Sequence, residues 1–331
     1  MAYKNRPVIM NTPKVSIITP TYNSEALIKT CLTSVSSQSY GNKEHLIIDN
    51  ASTDKTADIV RTFAEQHPHI HLVSEKDNGI YDALNKGIEH ITGDWVLILG
   101  SDDTFFDNDV LKDVFTRQDA AEYDVIYGNV QWGENGKIYD KEFSRLKLIE
   151  KNICQQAIFY SSPLFSKFGP FETQYKILAD WVFNMKWFNQ QEIKRLYIDR
   201  IIAIYNPYGY SSDKHDTTFL ENQLSLIEQY FPKEYSVIFT KERSIKELNQ
   251  ILSVRADQLK QREEENKQLH ANIRELHTRI GELEGIVINH ERTIQKMLNS
   301  SSWRMTKPVR KLSKSFRKRS RKIRAFFKQS H

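Results

Sequence analysis

Several carboxylates stand where apolar runs end. Asp102 and Asp103 come just after the run WVLIL at 95–99, Asp49 closes HLIID at 45–49, and Glu75 and Asp77 follow IHLV at 70–73. Two adjacent carboxylates beyond a buried strand can aim hard oxygen ligands at one point, which suits Mg2+ or Mn2+ shared with phosphate oxygens. An ion there would neutralise charge building on a leaving diphosphate. Asp102-Asp103-Thr104 also fits a plainer role as a helix cap, because Asp accepts hydrogen bonds from the free N–H groups of a first helical turn. Asp54, within STDKT at 52–56, reads as that kind of helix-start residue, facing the positive end of the dipole. His67, His69 and His71 alternate around a strand start with no Cys or carboxylate at metal-site spacing, and read as surface and strand-face residues.

Positioning these groups requires a sheet. Short β-branched runs at 15–19, 45–49, 70–73 and 95–99 predict strands, and 24–37, 54–66 and 80–90 carry helical apolar spacing. Repeated strand-then-helix units predict an α/β fold, a mostly parallel sheet with helices on both faces. Ligands of such sheets bind beyond the carboxyl ends of the strands, where the acidic residues lie. The turn after the first strand, TPTYNS at 19–24, has no glycine, which argues against a dinucleotide-binding phosphate turn. Beyond Asp103 the pattern is mixed, with strands expected at 124–130, 157–160 and 193–205 and helices at 178–189 and 215–230. Trp181, Phe183, Trp187 and Phe188 recur at helical spacing and read as core.

Four segments, VSIITPTYN at 15–23, IIDNASTDKT at 47–56, DNGIYDALNKG at 77–87 and GDWVLILGSDD at 93–103, resemble in order and spacing the glycosyltransferase family 2 enzymes of GT-A fold. The subgroup they resemble builds bacterial exopolysaccharide, capsule and O-antigen. The likeness covers about residues 13–231. It implies that Pro20 and Tyr22 lie along a nucleotide, that Asp49 bonds a uracil-type base, and that Asp77 and Lys86 border the donor pocket. Asp102 and Asp103 would match the family's metal-binding acidic motif, with Asp102 also touching the nucleotide sugar. KILADWVF at 176–183 matches the element that carries the family's catalytic carboxylate, here Asp180. In an inverting transfer that carboxylate is the general base on the acceptor hydroxyl; a helix-terminal acid with no proton to move is the plainer alternative. The chain departs from the pattern at Asn50, where many relatives have a second Asp, and at Gln155, where many have His. Trp181, beside the expected base, is a candidate for sugar stacking. The segment at 209–212 resembles the loop after the last strand of the domain and fits either a closing loop or an ordinary turn.

From Ile245 onward the apolar period becomes seven. Ile245, Leu252, Leu259, Asn266, Ile273, Ile280, Val287 and Ile294 occupy one register, with Leu248, Leu269, Leu276, Leu283 and Met297 in the second. β-Branched residues in the first register, Leu in the second and a lone Asn266 predict a parallel two-stranded coiled coil and thus a homodimer. A single amphipathic helix packed on its own domain is the alternative; Arg255, Arg262 and His290 interrupt the seam.

Charge is uneven. Of 47 Lys and Arg, twelve fall in 303–331, where there is no acid, leaving 35 against 42 acidic residues elsewhere. Trp303, Val309, Leu312, Phe316, Ile323 and Phe326 recur at helical spacing among those cations, so the tail reads as an interfacial helix for an anionic membrane. Nucleic acid is the rival partner and is not expected; a solvated tail is the third reading. No apolar run approaches the roughly 18 residues that a membrane span needs. The first residues lack a secretory pattern and the cysteines are only Cys31 and Cys154, from which a cytoplasmic protein, peripheral at the inner membrane face, is expected.

The expected organisation is an N-terminal extension (1–12), a GT-A domain (13–235), a coiled coil (241–298) and a basic tail (303–331). The expected function is inverting transfer from a nucleotide-diphosphate sugar, UDP favoured, to a lipid-linked saccharide acceptor, using Mg2+ or Mn2+. A non-catalytic coiled-coil scaffold of a polysaccharide assembly complex is the competing reading.

Overall fold

The computed structural model describes residues 12–117, 119–133, 136–139, 141–207, 209, 215–299 and 317–320. Most of the basic tail, residues 1–11 and most of the segment 209–212 therefore lie outside the described residues. The chain divides into two compact units, Met1–Ile245 and Lys246–His331.

The first unit opens with β1 (Val15–Thr21), α1 (Ile28–Ser36), β2 (Lys43–Asp49), α2 (Thr56–Ala64), β3 (Ile70–Ser74), α3 (Ile80–His90) and β4 (Trp95–Ile98). It continues through β5 (Thr104–Phe105), α4 (Val110–Phe115), β6 (Val125–Trp132), β7 (Lys137–Tyr139), α5 (Arg145–Glu150), β8 (Ile158–Ser161) and α6 (Pro163–Phe168). Last come α7 (Ala179–Phe188), β9 (Arg195–Tyr205), α8 (Thr217–Tyr230) and the long α9 (Lys233–Asn299), which runs on into the second unit.

All the strands form one sheet in the order β3-β2-β1-β4-β8-β6-β9-β5, with β7 paired to β6. β1, β2, β3 and β4 are parallel, as expected, and β6 and β9 are a second parallel pair. β8 runs antiparallel to both β4 and β6, so those two point the same way. The carboxyl ends of β1 to β4, β6 and β9 consequently share one edge of the sheet.

Strand residues alternate between two apolar layers. Ile18, Leu46, Ile48, Val96 and Ile98 pack with Leu84, Val182 and Phe183 on one face, and Ile17, Trp95 and Leu97 pack with Cys31, Val35 and Val114 on the other. Both faces of a crossover sheet are covered by helices, which explains strands that read as continuous apolar runs. Gly87 lets α3 lie directly on β1, since a Cβ there would come 2.6 Å from Ile18 Cγ2.

Two alternatives fall and one boundary moves. Asp102 and Asp103 cap no helix, because β5 follows them and α4 begins only at Val110. The helix expected from 24 starts at Ile28, after a turn in which Ile28 N–H donates to the Ser24 carbonyl at 2.9 Å. Trp181 is a core residue, stacked on Phe219 at 4.7 Å with Nε1 donating to the Leu148 carbonyl at 2.7 Å, so it offers no face to a sugar. In the second unit α9 is one uninterrupted helix. Among the described residues no helix is long and apolar enough to cross a membrane.

Candidate active site

A cavity of about 320 Å³ opens at the carboxyl edge, and Pro20, Asp102, Asp103 and Asp180 all line it. Segments far apart in sequence thus bring the acidic pair and the expected base to one space. Asp103 is buried; Gln156 Nε2 donates to its Oδ2 at 2.6 Å and the Asn206 backbone N–H to its Oδ1 at 2.9 Å. Asn206 Nδ2 donates to Asp102 Oδ2 at 3.1 Å. Burial, with the neighbouring Asp102 charge adding to it, pushes the Asp103 carboxyl up to about 7.

Glycines make room for this pair. A Cβ at Gly100 would lie 2.6 Å from Asp103 Oδ2 and 2.9 Å from Asp102 Oδ1, and one at Gly209 would lie 2.8 Å from Asp102 Oδ2. Repulsion between two adjacent carboxylates is relieved either by a proton on one of them or by a bound cation. Among the described residues no third His, Cys, Asp or Glu completes a cluster that could hold a metal by itself. That set fits Mg2+ or Mn2+, which are held by one or two carboxylates and completed by substrate phosphates and water.

Asp180 sits in the first turn of α7, 7% exposed. Tyr81 Oη lies 2.7 Å from its Oδ1, and Asn152 Nδ2 donates to its Oδ2 at 2.6 Å. Asn184 Nδ2 in turn holds Asn152 Oδ1 at 2.9 Å, which fixes the amide orientation. Burial raises the Asp180 carboxyl to about 6, with the Tyr81, Trp181 N–H and Asn152 hydrogen bonds opposing it. A carboxylate that titrates close to neutrality and is clamped through both oxygens is well matched to accepting a proton.

The remaining predicted nucleotide residues lie along the same edge but outside the lining of this cavity. Asp49 is wholly buried, and its carboxylate accepts from Ser52 Oγ at 2.5 Å and from Ser74 Oγ at 2.6 Å. Asp77 lies in the turn before α3, accepting from the Gly79 N–H at 2.9 Å, and burial holds its carboxyl above the usual range. Lys86 Nζ pairs with Glu75 at 2.8 Å and donates to the Lys76 carbonyl at 2.6 Å. Tyr22 is exposed. Asn50 Oδ1 accepts from the Asp77 N–H at 2.9 Å, a tie between the β2 and β3 loops that a carboxylate would also make. Asp54 Oδ1 accepts from the Thr56 N–H at 2.9 Å at the start of α2.

Residues 16–188 match the family described as Glycosyl transferase family 2. The chain belongs to that family. A glycosyltransferase of Mycobacterium bovis named for PGL/p-HBAD biosynthesis is 36% identical over 203 residues, 60% of this chain and 79% of that protein. The uncharacterised glycosyltransferase YibD of Escherichia coli is 32% identical over 122 residues, 37% of this chain and 35% of its own length. Among solved structures, S. aureus TarS 1–349 in complex with UDP-GlcNAc superposes with a TM-score of 0.53 at 20% identity, covering 66% of this chain and 65% of that one. The same protein with UDP gives 0.53 at 22% identity, covering 65% and 64%. The TarS likeness is one of fold, and the curled, mostly parallel sheet is the GT-A fold.

In this glycosyltransferase the cavity also contains groups that the motifs did not single out. Tyr81 lies inside a quoted motif, yet only the fold shows its hydroxyl turned to Asp180. Asn152 and Gln156, and the aromatic residues Trp132 and Tyr139, come from the irregular second half outside the strands and helices expected there; Lys176 opens the KILADWVF segment and Tyr205 closes the strand expected at 193–205, but neither stood out as a site residue.

Proposed function

We propose that this glycosyltransferase moves a sugar, with inversion at the anomeric carbon, from a UDP-sugar to a lipid-linked saccharide acceptor. The observation that carries the reading is the presence in one cavity of a clamped carboxylate at about 6, Asp180, and the acidic pair Asp102–Asp103. Asp180 takes the proton of the acceptor hydroxyl while that oxygen bonds to the anomeric carbon. The anomeric carbon–phosphate oxygen bond breaks, and its electron pair leaves with the diphosphate. Asp102 and Asp103 would hold Mg2+ or Mn2+, which neutralises charge on that leaving group. Pro20, Tyr22, Asp49, Asp77 and Lys86 would form the donor side, and the UDP complexes of TarS support uracil as the base.

The seam of α9 supports a homodimer. Leu259 and Leu276 are 61% and 62% exposed on the single chain, and Leu252, Leu269 and Leu283 are exposed with them. A sustained apolar seam left open on one helix fits a second helix laid along it. Two copies of the basic tail would then meet one anionic membrane surface at the cytoplasmic face, where a lipid-linked acceptor resides. Incubation with a panel of UDP-, GDP- and dTDP-sugars and Mn2+, followed by mass spectrometry and by NMR of the product's anomeric proton, tests the transfer. Retained anomeric configuration would overturn the single-displacement role of Asp180.

A further inference from the structure

Three aromatic residues meet in the wall of the cavity. Trp132 closes β6, Tyr205 closes β9 opposite it in register, and Tyr139 closes β7. The Trp132 ring centroid is 5.4 Å from that of Tyr139 at 58° and 5.4 Å from that of Tyr205 at 72°. The two phenol rings thus stand tilted and edge-on against the indole and fix its plane. Trp132 nevertheless remains 39% exposed, whereas Trp95, Trp181 and Trp187 are buried. An oriented, partly exposed indole at a cavity wall leaves aromatic surface available to a ligand that enters there.

Its place in the sheet distinguishes the two substrates. β6 and β9 lie on the opposite side of β4 from β1, β2 and β3, whose ends carry Pro20, Asp49 and the loop to Asp77. Asp102 and Asp103 follow β4, between the two halves. The aromatic group therefore lies away from the expected nucleotide and on the side open to a second substrate. Lys151 Nζ stands 4.3 Å over the Tyr139 ring, and the polar side chains of Asn152 and Gln155 line the same cavity. An aromatic face in a cavity that also carries polar side chains matches a ring with an apolar face of axial C–H bonds and hydroxyls around its edge.

We infer that Trp132, framed by Tyr139 and Tyr205, is a stacking platform for a pyranose ring of the acceptor, so that the acceptor's reacting end is a saccharide. This rests on the proposed transfer for the word acceptor, while the binding itself is independent of turnover. Saturation-transfer NMR on the full chain with UDP and diamagnetic Mg2+, using methyl glucoside, methyl mannoside, methyl rhamnoside and methyl N-acetylglucosaminide as probes, reads it directly. Propyl 4-hydroxybenzoate serves as an aryl probe without a sugar. At least one glycoside should receive saturation on its axial ring protons, at least about fivefold less in Trp132→Ala and in the bulkier Trp132→Leu, and little changed in Trp132→Phe. UDP affinity by calorimetry should stay within about twofold in all three, since the platform lies away from the nucleotide side. Saturation of no glycoside, equal saturation in the Ala and Leu variants, or saturation of the benzoate ester alone would overturn the platform. Failure of the wild-type chain to release UDP from any donor would instead overturn the transfer reading and leave the binding result standing.

Discussion

The Tyr81 hydroxyl stands 2.7 Å from Asp180 Oδ1 and 2.6 Å from the carbonyl oxygen of Ile177. One hydroxyl has one proton and two acceptors here. It donates to Asp180 while the carboxylate is ionised, and can turn to Ile177 once Asp180 holds a proton of its own. Hydrogen bonds to a charged acceptor are the stronger kind, so the net effect of Tyr81 is to favour the ionised base.

Tyr81→Phe should therefore move the acidic limb of the rate profile upward, by about half a unit or more, with the high-pH plateau reduced only a few fold. A pH–rate profile of transfer checks it. An unmoved limb with a uniformly lower rate would mean that the hydroxyl acts only through packing.

For the wild-type enzyme, turnover should fall as pH drops through about 6, because Asp180 accepts a proton only when ionised. Asp180→Asn should lower turnover by about 10²-fold or more, with UDP affinity kept within a few fold. The same substitution should stabilise the fold at high pH. The folded carboxyl titrates at about 6, above its ordinary 3.8, so the contribution of Asp180 to stability is fully present below that ordinary value and is lost as pH rises through about 6. The amide is neutral throughout, and its NH2 can face Tyr81 Oη while that hydroxyl donates to Ile177. A higher Tm for the variant at alkaline pH, and little difference at acid pH, is the calorimetric expectation.

Transfer should require a divalent ion, and Asp103→Ala should abolish it with the fold intact by circular dichroism. Asp103 is held by Gln156 and by the Asn206 backbone rather than by any cation among the contacts described, so the ion's charge has no protein substitute there. Full activity in excess EDTA would refute the metal role.

Light scattering should give a dimer, and Leu276→Glu should shift it toward monomer, since Leu276 lies mid-seam and exposed on the single chain. The catalytic unit should keep its melting transition in that variant. A monomeric or trimeric wild type would contradict the parallel pair.

Removal of 303–331 should release the enzyme from anionic vesicles and depress transfer to lipid-linked acceptor, while hydrolysis of soluble donor changes little. Binding of the full chain should weaken with salt, as exposed charges are screened beyond about 8 Å at physiological ionic strength. Cosedimentation decides between this and equal pelleting of both forms; preference for nucleic acid would reassign the tail.

What the sequence determined by itself was local and periodic. β-Branched runs with acids at their ends specified β1, β2, β3 and β4 and put Asp49, Asp102 and Asp103 at one edge, because strand direction and the side-chain period follow from adjacent residues. The seven-residue period of α9 was legible for the same reason. Asp180 could be named only by resemblance, since nothing near it in the chain tells a helix-opening acid from a base. Tertiary structure decided the rest through contacts between distant segments. Tyr81 and Asp180 are 99 positions apart, Asn152 and Asp180 28, and Gln156 and Asp103 53. It also took Trp181 into the core and left Trp132 uncovered, a choice that composition and spacing could not make. Both are tryptophans among apolar neighbours, and which one stays partly exposed depends on what packs over it: Phe219 of α8 stacks on Trp181, while Tyr139 and Tyr205 meet Trp132 at 58° and 72°.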